Sequence, residues 1–560
     1  MQIKKIEINN FRGFDNFTIV DFSGNFTIIG KNDCGKTNLC YAIRKALDPE
    51  IRRVPFNEAD STNSNKENIS IKIVLDVSNI SAENRSKLNT FVDRDKTITI
   101  ELIAEYDKDS AFYNEHLIFG SKDRSKKIPT NITNSLDKVL DVIYVNPGYD
   151  IDRDKNIFFA YRGKKDKEDE KGLTLKVEEK VKDLNKAISE EEVVSLINKQ
   201  LNENEEFNKI FDSIKFKTSS NINASNIYKS LEIQPFNDVN ENLNNIGDGK
   251  NKTLSLLLKI LSKNPEKEKI LICEEPENHL YPQLQRSYSQ LASSLNVGQF
   301  IITTHSAHII DFNKMKKIIK MTRNNNIVST VSTNINGELF DSFGHYFNED
   351  VSQSLFYDTV MLVEGFTEKY FYNRLMIDDS FFRDFCTKQN LGVFAIGGID
   401  FSPYKKFLES LGIRVIIKTD NDIFAVPKST PKKLRYAGIE RVIGCLDKNG
   451  LEKLCLLLDA NDIDTETFRF LESQPYPIND KLMEHITKLF VEYDVFLSPH
   501  KDGFEKEFLE FVNYEVDPIE LDYLKKSKLK NLHSYIVDNN LSLRINENNR
   551  NSILVRFLYV

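Results

Sequence analysis

Isoleucines at positions 3, 6 and 8 alternate with charged residues at the start of the chain, and short apolar runs follow at 17–20 and 26–29. Period-two alternation of this kind predicts strands. A glycine-bearing loop at Gly30 then leads into a stretch, 36–47, whose apolar residues recur at helical spacing. Strand-like runs return at 69–77 and 97–106, and again at 270–273 and 300–303, the latter two separated by a helical pattern. Between residues 162 and 208 the pattern changes. Lys and Glu become dense, and Leu184, Ile188, Val193, Leu196 and Leu201 fall at helical spacing. This charged helical insertion is read either as a solvated arm or as a dimerisation arm. The stretch 334–350 has no strong periodicity and reads as a linker. Beyond it a fresh strand-helix alternation begins, with apolar runs at 360–363, 393–396 and 415–417, so a domain boundary is expected near residue 345.

Composition adds limits to this picture. At 560 residues the chain exceeds one ordinary domain and predicts two to four. Its 40% hydrophobic and 29% charged residues are a globular balance with ample material for cores. No apolar run approaches the roughly 18–20 residues of a membrane helix, and the opening residues alternate as a strand does rather than as a signal peptide. A cytoplasmic protein with no membrane association is expected. The six cysteines form no C-x-x-C pair and have no histidine cluster beside them, which argues against a disulfide framework or zinc ribbon. The net charge of −8 does not exclude a nucleic-acid partner, because such binding needs only a local basic patch.

The first chemical motif is Gly30-Lys-Asn-Asp-Cys-Gly35-Lys36-Thr37, which satisfies G-x-x-x-x-G-K-[ST] between a predicted strand and a predicted helix. Backbone N–H groups of such a loop, from Gly30 through Asn32 to Gly35, wrap phosphate oxygens. Lys36 is placed to reach the β- and γ-phosphates, Thr37 to ligate Mg²⁺, and Asn38 continues the helix start. A second motif is the apolar strand that ends in Glu274-Glu275. Glu274 would hold the cation directly or through water, and Glu275 would orient the attacking water. Pro276-Glu277-Asn278-His279 continues it, and His305 ends the next strand, where it would sense the γ-phosphate.

Phosphate loop, paired carboxylates and strand-end histidine, in that order, resemble an ABC-type ATPase head. The opening Ile8-Asn-Asn-Phe11-Arg12 resembles the start of the branch that holds DNA-repair and chromosome-maintenance ATPases. Such heads carry an S-G-x-G signature that caps the nucleotide of an opposite subunit. Here the best match is Ile246-Gly-Asp-Gly249, just before a helix expected at 253–261, with isoleucine in place of the serine. Glu274 likewise stands where the Walker B motif has aspartate. Binding of ATP is therefore a firmer expectation than its rapid hydrolysis.

The second constellation lies beyond residue 346. The run 360–363 ends in Glu364-Gly365, and Glu368 follows on the first helical turn. The run 414–419 ends in Asp420-Asn-Asp422. Parallel strands of a doubly wound sheet put their C-terminal ends in one crevice, so Glu364, Asp420 and Asp422 are expected to converge. Hard oxygen donors of this kind suit Mg²⁺ or Mn²⁺. In this order they resemble a Toprim domain, and a head followed by Toprim is the architecture of the OLD family of nucleases. Within that family the chain is most similar to the nuclease subunits of Gabija anti-phage systems.

The resemblance implies an α/β protein: an ABC-type ATPase head in two parts, 1–160 and 236–345, interrupted by a helical, dimerising insertion at 161–235, and a doubly wound Toprim domain over 346–560. It implies further acidic ligands near the C-terminus, for which Asp502 and Glu505 are the candidates and Glu507 the fallback. It also implies an active-site lysine at Lys528, with Lys526 as the alternative, that stabilises charge on the scissile phosphate. The expected activity is cleavage of double-stranded DNA, dependent on Mg²⁺ or Mn²⁺ and regulated by ATP. Two cations about 3.5–4 Å apart would sit among Glu364, Asp420, Asp422, Asp502 and Glu505, with Glu368 a ligand directly or through water. A homodimer or homotetramer and a UvrD-like helicase subunit are the implied partners. Three other readings compete: a non-catalytic ATP-dependent DNA clamp, a topoisomerase, for which none of the 21 tyrosines lies in a recognisable motif, and an enzyme acting on RNA.

Overall fold

The computed structural model describes residues 1–22, 24–62, 67–109, 112–121, 124–132, 134–146, 192–205, 215–220, 231–236, 248–261, 266–278, 280–294, 297–310, 317–324, 327–334, 349–397, 400–428, 433–463, 471–472, 478–498, 503–513 and 516–559. The chain divides into two compact units, Met1–Ile335 and Asn336–Val560.

In chain order the strands of the first unit are β1 (Gln2–Asn9), β2 (Phe17–Val20), β3 (Phe26–Gly30), β4 (Ile69–Asp76), β5 (Thr97–Asp107), β6 (Phe112–Ser121), β7 (Arg124–Pro129), β8 (Leu140–Val145), β9 (Lys215–Ser220), β10 (Leu231–Phe236), β11 (Glu268–Glu274), β12 (Gln299–Thr303), β13 (Lys317–Asn324) and β14 (Ile327–Asn334). One six-stranded sheet runs β2-β1-β4-β5-β6-β7 and is antiparallel throughout. Its strands alternate as the isoleucine pattern demands. In β4 every second residue, Ile69, Ile71, Ile73 and Leu75, is buried. The other six-stranded sheet runs β14-β13-β3-β12-β11-β8. Its strands are parallel except for β14, which pairs with β13 as an edge hairpin. Here β3 and β12 are buried at every position, as strands covered on both faces are. The helix Lys36–Leu47 follows β3 and packs its Leu39, Ile43 and Ala46 into the shared core.

Parallel order in this sheet brings the C-terminal ends of β3, β11 and β12 to one edge, where the phosphate loop, Glu274-Glu275 and His305 all fall. The helix before β11 begins earlier than expected. It spans Asp248–Leu261, so the Asp248-Gly249 pair lies within the helix rather than in a loop preceding 253. Ile246 and Gly247 lie outside the described residues. Of the charged insertion, the helix Glu192–Glu203 is described. It buries Ile197 and Leu201 and leaves Leu196 exposed, which rotates the apolar stripe by one position from the expected one at its middle.

The second unit is built on a parallel four-stranded sheet ordered β16-β15-β17-β21, with β15 (Thr359–Val363), β16 (Leu391–Ala395), β17 (Arg414–Thr419) and β21 (Val495–Leu497). A small antiparallel sheet of β18 (Ile423–Ala425), β19 (Lys433–Tyr436) and β20 (Leu471–Glu472) leads off from β17. The helices Phe366–Asp378, Gly503–Asn513 and Lys528–Asp538 pack on the four-stranded sheet through a cluster that includes Phe371, Phe508 and Ile536. The strand order is not the chain order, so the sheet has a switch point beside β15, where ligand crevices form.

Candidate functional site

In the first unit the phosphate loop closes on itself around Lys36. This residue opens the helix Lys36–Leu47, behind Gly35 at a φ of +101° that only glycine adopts cheaply. Lys36 Nζ donates to the carbonyls of Gly30 at 3.0 Å and Lys31 at 2.9 Å. Burial lowers its pKa, against the opposing pull of Cys34 and the carboxylates of Glu275, Glu277 and Glu274. Thr37 Oγ1 donates to Glu274 Oε1, and the Tyr144 hydroxyl donates to Glu274 Oε2. Burial, then the Glu274 carboxylate, raises the pKa of Tyr144, so the phenol keeps its proton. Thr37 and Glu274, each expected at the cation, thus touch one another, and Tyr144 at the end of β8 is a partner the motif did not reveal. Asn38 Nδ2 donates to the Arg12 carbonyl at 3.2 Å and so ties the helix to the Asn-Phe-Arg turn. Asn32 is exposed on the loop.

Glu275 sits in the left-handed region at a φ of +42°, which a non-glycine residue holds only when its surroundings fix it. Its N–H donates to the Thr303 carbonyl at 2.9 Å, at the end of the neighbouring strand β12. Its carboxylate Oε1 lies 3.1 Å from His305 Nε2. The His305 N–H donates to Glu277 Oε1 at 2.5 Å. Burial and then the Lys36 ammonium lower the His305 pKa, with Glu275 opposing, which keeps the imidazole neutral beside the phosphate loop. His279 lies outside the described residues.

In the second unit Glu364, Glu368 and Asp420 each bring one carboxylate oxygen within 4.8 Å of the others. Glu364 follows β15. Glu368 stands on the first turn of the helix Phe366–Asp378, where its Oε2 accepts the Gly365 N–H at 3.2 Å. Asp420 follows β17 and is 4% exposed. Burial raises the pKa of both Glu368 and Asp420, with Glu364 adding to each. Glu364 Oε1 collects the Thr419 hydroxyl, the Asp420 N–H at 3.0 Å and Arg441 Nη1 at 2.6 Å. Hard oxygens crowded together at this range, two of them buried, fit a divalent cation, which would relieve both their repulsion and their desolvation.

Around this group stand two lysines. Lys418 Nζ lies 2.9 Å from Glu507 Oε2, and both side chains are 2% exposed. Burial would lower the Lys418 pKa, but Glu507 and Asp420 outweigh it and the pKa is raised. Lys528 Nζ lies 3.2 Å from Glu505 Oε1 with its side chain half exposed. Burial opposes its charge, and Glu505, Asp420 and Glu368 together raise its pKa. Of the two C-terminal lysines it is thus Lys528 that faces the carboxylates, while Lys526 pairs with Asp522 at the surface. Asp422 stands outside the three-carboxylate group, with its Oδ2 accepting from Arg441 Nη2 at 2.8 Å. Asp502 lies outside the described residues. Glu505 is buried on the first turn of the helix Gly503–Asn513. Arg441 and Lys418 escaped sequence reading because neither sits in a spaced motif. Lys418 was visible only as a charge inside an otherwise apolar strand.

Comparison with known proteins bears on both units. Residues 26–311 match the family described as "AAA domain, putative AbiEii toxin, Type IV TA system", and residues 355–422 match "Overcoming lysogenization defect protein-like, TOPRIM domain". The chain is 28% identical to "Endonuclease GajA" of Bacillus cereus (strain VD045), over 97% of this chain and 96% of that protein. Among solved structures, an SMC head bound to the C-winged helix domain of ScpA is 16% identical, covering 60% of this chain and 98% of that one with a TM-score of 0.38. An SMC head domain with an extended coiled coil, bound to the C-terminal domain of ScpA derived from Pyrococcus furiosus, is 14% identical, covering 61% and 99% with a TM-score of 0.40.

Proposed function

The chain belongs to the AAA-domain family and carries an OLD-like Toprim domain behind it, and from that premise we propose that it is an ATP-regulated, divalent-metal-dependent DNA endonuclease of anti-phage defence. The observation that carries this reading is the convergence of carboxylate oxygens of Glu364, Glu368 and Asp420 within 4.8 Å, Glu364 and Asp420 following neighbouring parallel strands and Glu368 on the first turn of the next helix. The similarity to an endonuclease along nearly the whole chain supports the same activity.

In this reading Glu364, Glu368 and Asp420 hold the cation, with Asp422, Glu505 and Asp502 as further ligands, and Mg²⁺ or Mn²⁺ is the expected ion. A divalent cation bound there supplies Lewis-acid polarisation of a phosphodiester and a water of lowered pKa. The protein's own groups do the rest. The Thr419 hydroxyl and the Asp420 N–H orient Glu364. Buried Lys418, paired with Glu507, offsets the buried charge of Asp420, while the Glu507 carboxylate opposes it. Lys528, protonated and half exposed, is the group available to meet the negative charge of a DNA phosphate.

Nucleotide binding is assigned to Gly30, Asn32, Gly35, Lys36, Thr37 and Asn38, with Glu274, Glu275 and His305 at the γ-phosphate end and Thr37 as a cation ligand. ATP there would regulate the nuclease by binding its conformations with different affinity. We assign the insertion at 161–235 to self-association as a dimer or tetramer, supported by the amphipathic helix Glu192–Glu203. A UvrD-like helicase subunit is the proposed second partner.

The test is a supercoiled-plasmid assay with Mg²⁺ or Mn²⁺, with and without ATP, beside Glu364→Ala. Nicking or linearisation by the wild type should fall by at least about 10²–10³-fold in the variant, because catalysis at such a site is charge stabilisation by a few positioned groups. Equal silence of both proteins on supercoiled, linear and single-stranded DNA would overturn the nuclease and favour an ATP-dependent clamp.

A further inference from the structure

Asp422 follows the same strand as Asp420, yet it is absent from the three-carboxylate group. The reason is visible in Arg441. Its Nη1 donates to Glu364 Oε1 at 2.6 Å and its Nη2 to Asp422 Oδ2 at 2.8 Å. The guanidinium therefore spans the gap between a carboxylate of the metal group and the carboxylate left outside it. Its side chain is 11% exposed, and its Nε is buried with no hydrogen-bond partner among the described residues.

The helix that carries Arg441, Ala437–Ile443, is seated for this contact. A Cβ on Gly438 would lie 2.5 Å from the Asp420 carbonyl oxygen and 2.6 Å from Asn421 Cα, so only glycine lets the helix approach this closely. The Gly438 N–H donates to the Asp422 carbonyl at 3.2 Å. Positions 438 and 441 are three apart and share one helix face. The close approach at Gly438 thus delivers the Arg441 fork onto the two carboxylates. Arginine keeps its charge under all conditions a protein tolerates, and a fixed positive charge between Glu364 and Asp422 competes with any cation that would use both.

We propose that Arg441 is a positioning residue that holds Glu364 and Asp422 and fills the space between them as an internal cation. The first divalent cation then takes the Glu364–Glu368–Asp420 group, and a second, at Asp422, enters only by displacing the guanidinium. Occupancy of the site is sequential, and the second cation is the one whose arrival depends on a side-chain movement. This inference rests on the metal-dependent reading of the site given above.

The experiment is a Mn²⁺ titration of the full-length protein, reading free Mn²⁺ by electron paramagnetic resonance, for wild type, Arg441→Gln and Arg441→Lys. The wild type should bind one Mn²⁺ tightly and a second at least about tenfold more weakly, and Arg441→Gln should tighten the second by about tenfold while changing the first by less than about threefold. Arg441→Lys keeps the charge on a head that cannot bridge two carboxylates in a planar fork. It should fall between the two, and it carries the test if the glutamine variant does not fold. Equal affinity for both ions in the wild type, or second constants unchanged in both variants, would overturn the proposal. A purely structural ion pair would lower the melting temperature and leave the Mn²⁺ constants where they were. Plasmid nicking on the same preparations separates the two readings. Shifted constants without wild-type nicking would sink the nuclease and leave this inference standing, and nicking with unshifted constants would sink this inference alone.

Discussion

At Gly503 the backbone turns at a φ of +70°, and an added Cβ would lie 2.6 Å from Asp420 Oδ2. The residue therefore supplies both a left-handed turn and the room in which the Asp420 carboxylate sits. Gly503→Ala is expected to cost about 1–3 kcal/mol of stability, the range for backbone strain of this kind, and to weaken Mn²⁺ binding because the carboxylate must move. Denaturant unfolding alongside a Mn²⁺ titration checks both. A variant with unchanged stability and unchanged Mn²⁺ affinity would mean that the turn relaxes without touching the site. Glu364 shows the same dependence on neighbours: one of its oxygens accepts from three donors, Thr419, Asp420 and Arg441. Thr419→Val should consequently reduce cleavage by about 10–100-fold, as loss of a group that orients a metal ligand does, with little change in melting temperature. Rates on supercoiled plasmid for Thr419→Val and Thr419→Ser decide it, since serine keeps the hydroxyl and should recover most of the activity.

At the scale of elements, the buried pair Lys418–Glu507 joins β17 to the helix Gly503–Asn513. Strand β17 is buried from Val415 to Thr419, so Lys418 has no route to solvent and must find its partner inside. Removing one member of such a pair leaves an uncompensated buried charge. Lys418→Met should destabilise the protein by about 3–5 kcal/mol, and Lys418→Met with Glu507→Leu should recover most of that loss. Chemical denaturation of the two variants measures it. If the double variant is as unstable as the single one, the pair is a packing contact and its charges are incidental. Recovery of stability without recovery of cleavage would separate the element-joining role from the electrostatic support of Asp420.

On the scale of the whole molecule, each of the two compact units carries a candidate site at the C-terminal ends of parallel strands. Lys36 lies in the first and Glu364 in the second, so the two proposed sites can be altered separately. Lys36→Ala should abolish binding of a fluorescent ATP analogue and remove the ATP dependence of nicking, while nicking without nucleotide persists. Glu364→Ala should bind the analogue as the wild type does. Loss of analogue binding in Glu364→Ala, or an intact ATP response in Lys36→Ala, would refute this division of labour.

Much of this arrangement was legible along the chain. The phosphate loop declares itself because wrapping a phosphate demands glycines and a lysine at fixed local spacing, and the helix Lys36–Leu47 follows from its own periodicity. Runs ending in Glu364 and Asp420 could be paired before any contact was seen, because parallel sheets place strand ends together. Sequence determined what is local: element type, motif chemistry and the candidate carboxylates. Tertiary structure decided what depends on residues distant in the chain. It set Arg441 between Glu364 and Asp422, turned Lys528 rather than Lys526 toward Glu505, matched Lys418 with Glu507, and brought Tyr144 to Glu274. None of these has a sequence spacing, because a polar group takes whichever partner the packed elements bring within reach, and that choice exists only once the sheet has formed.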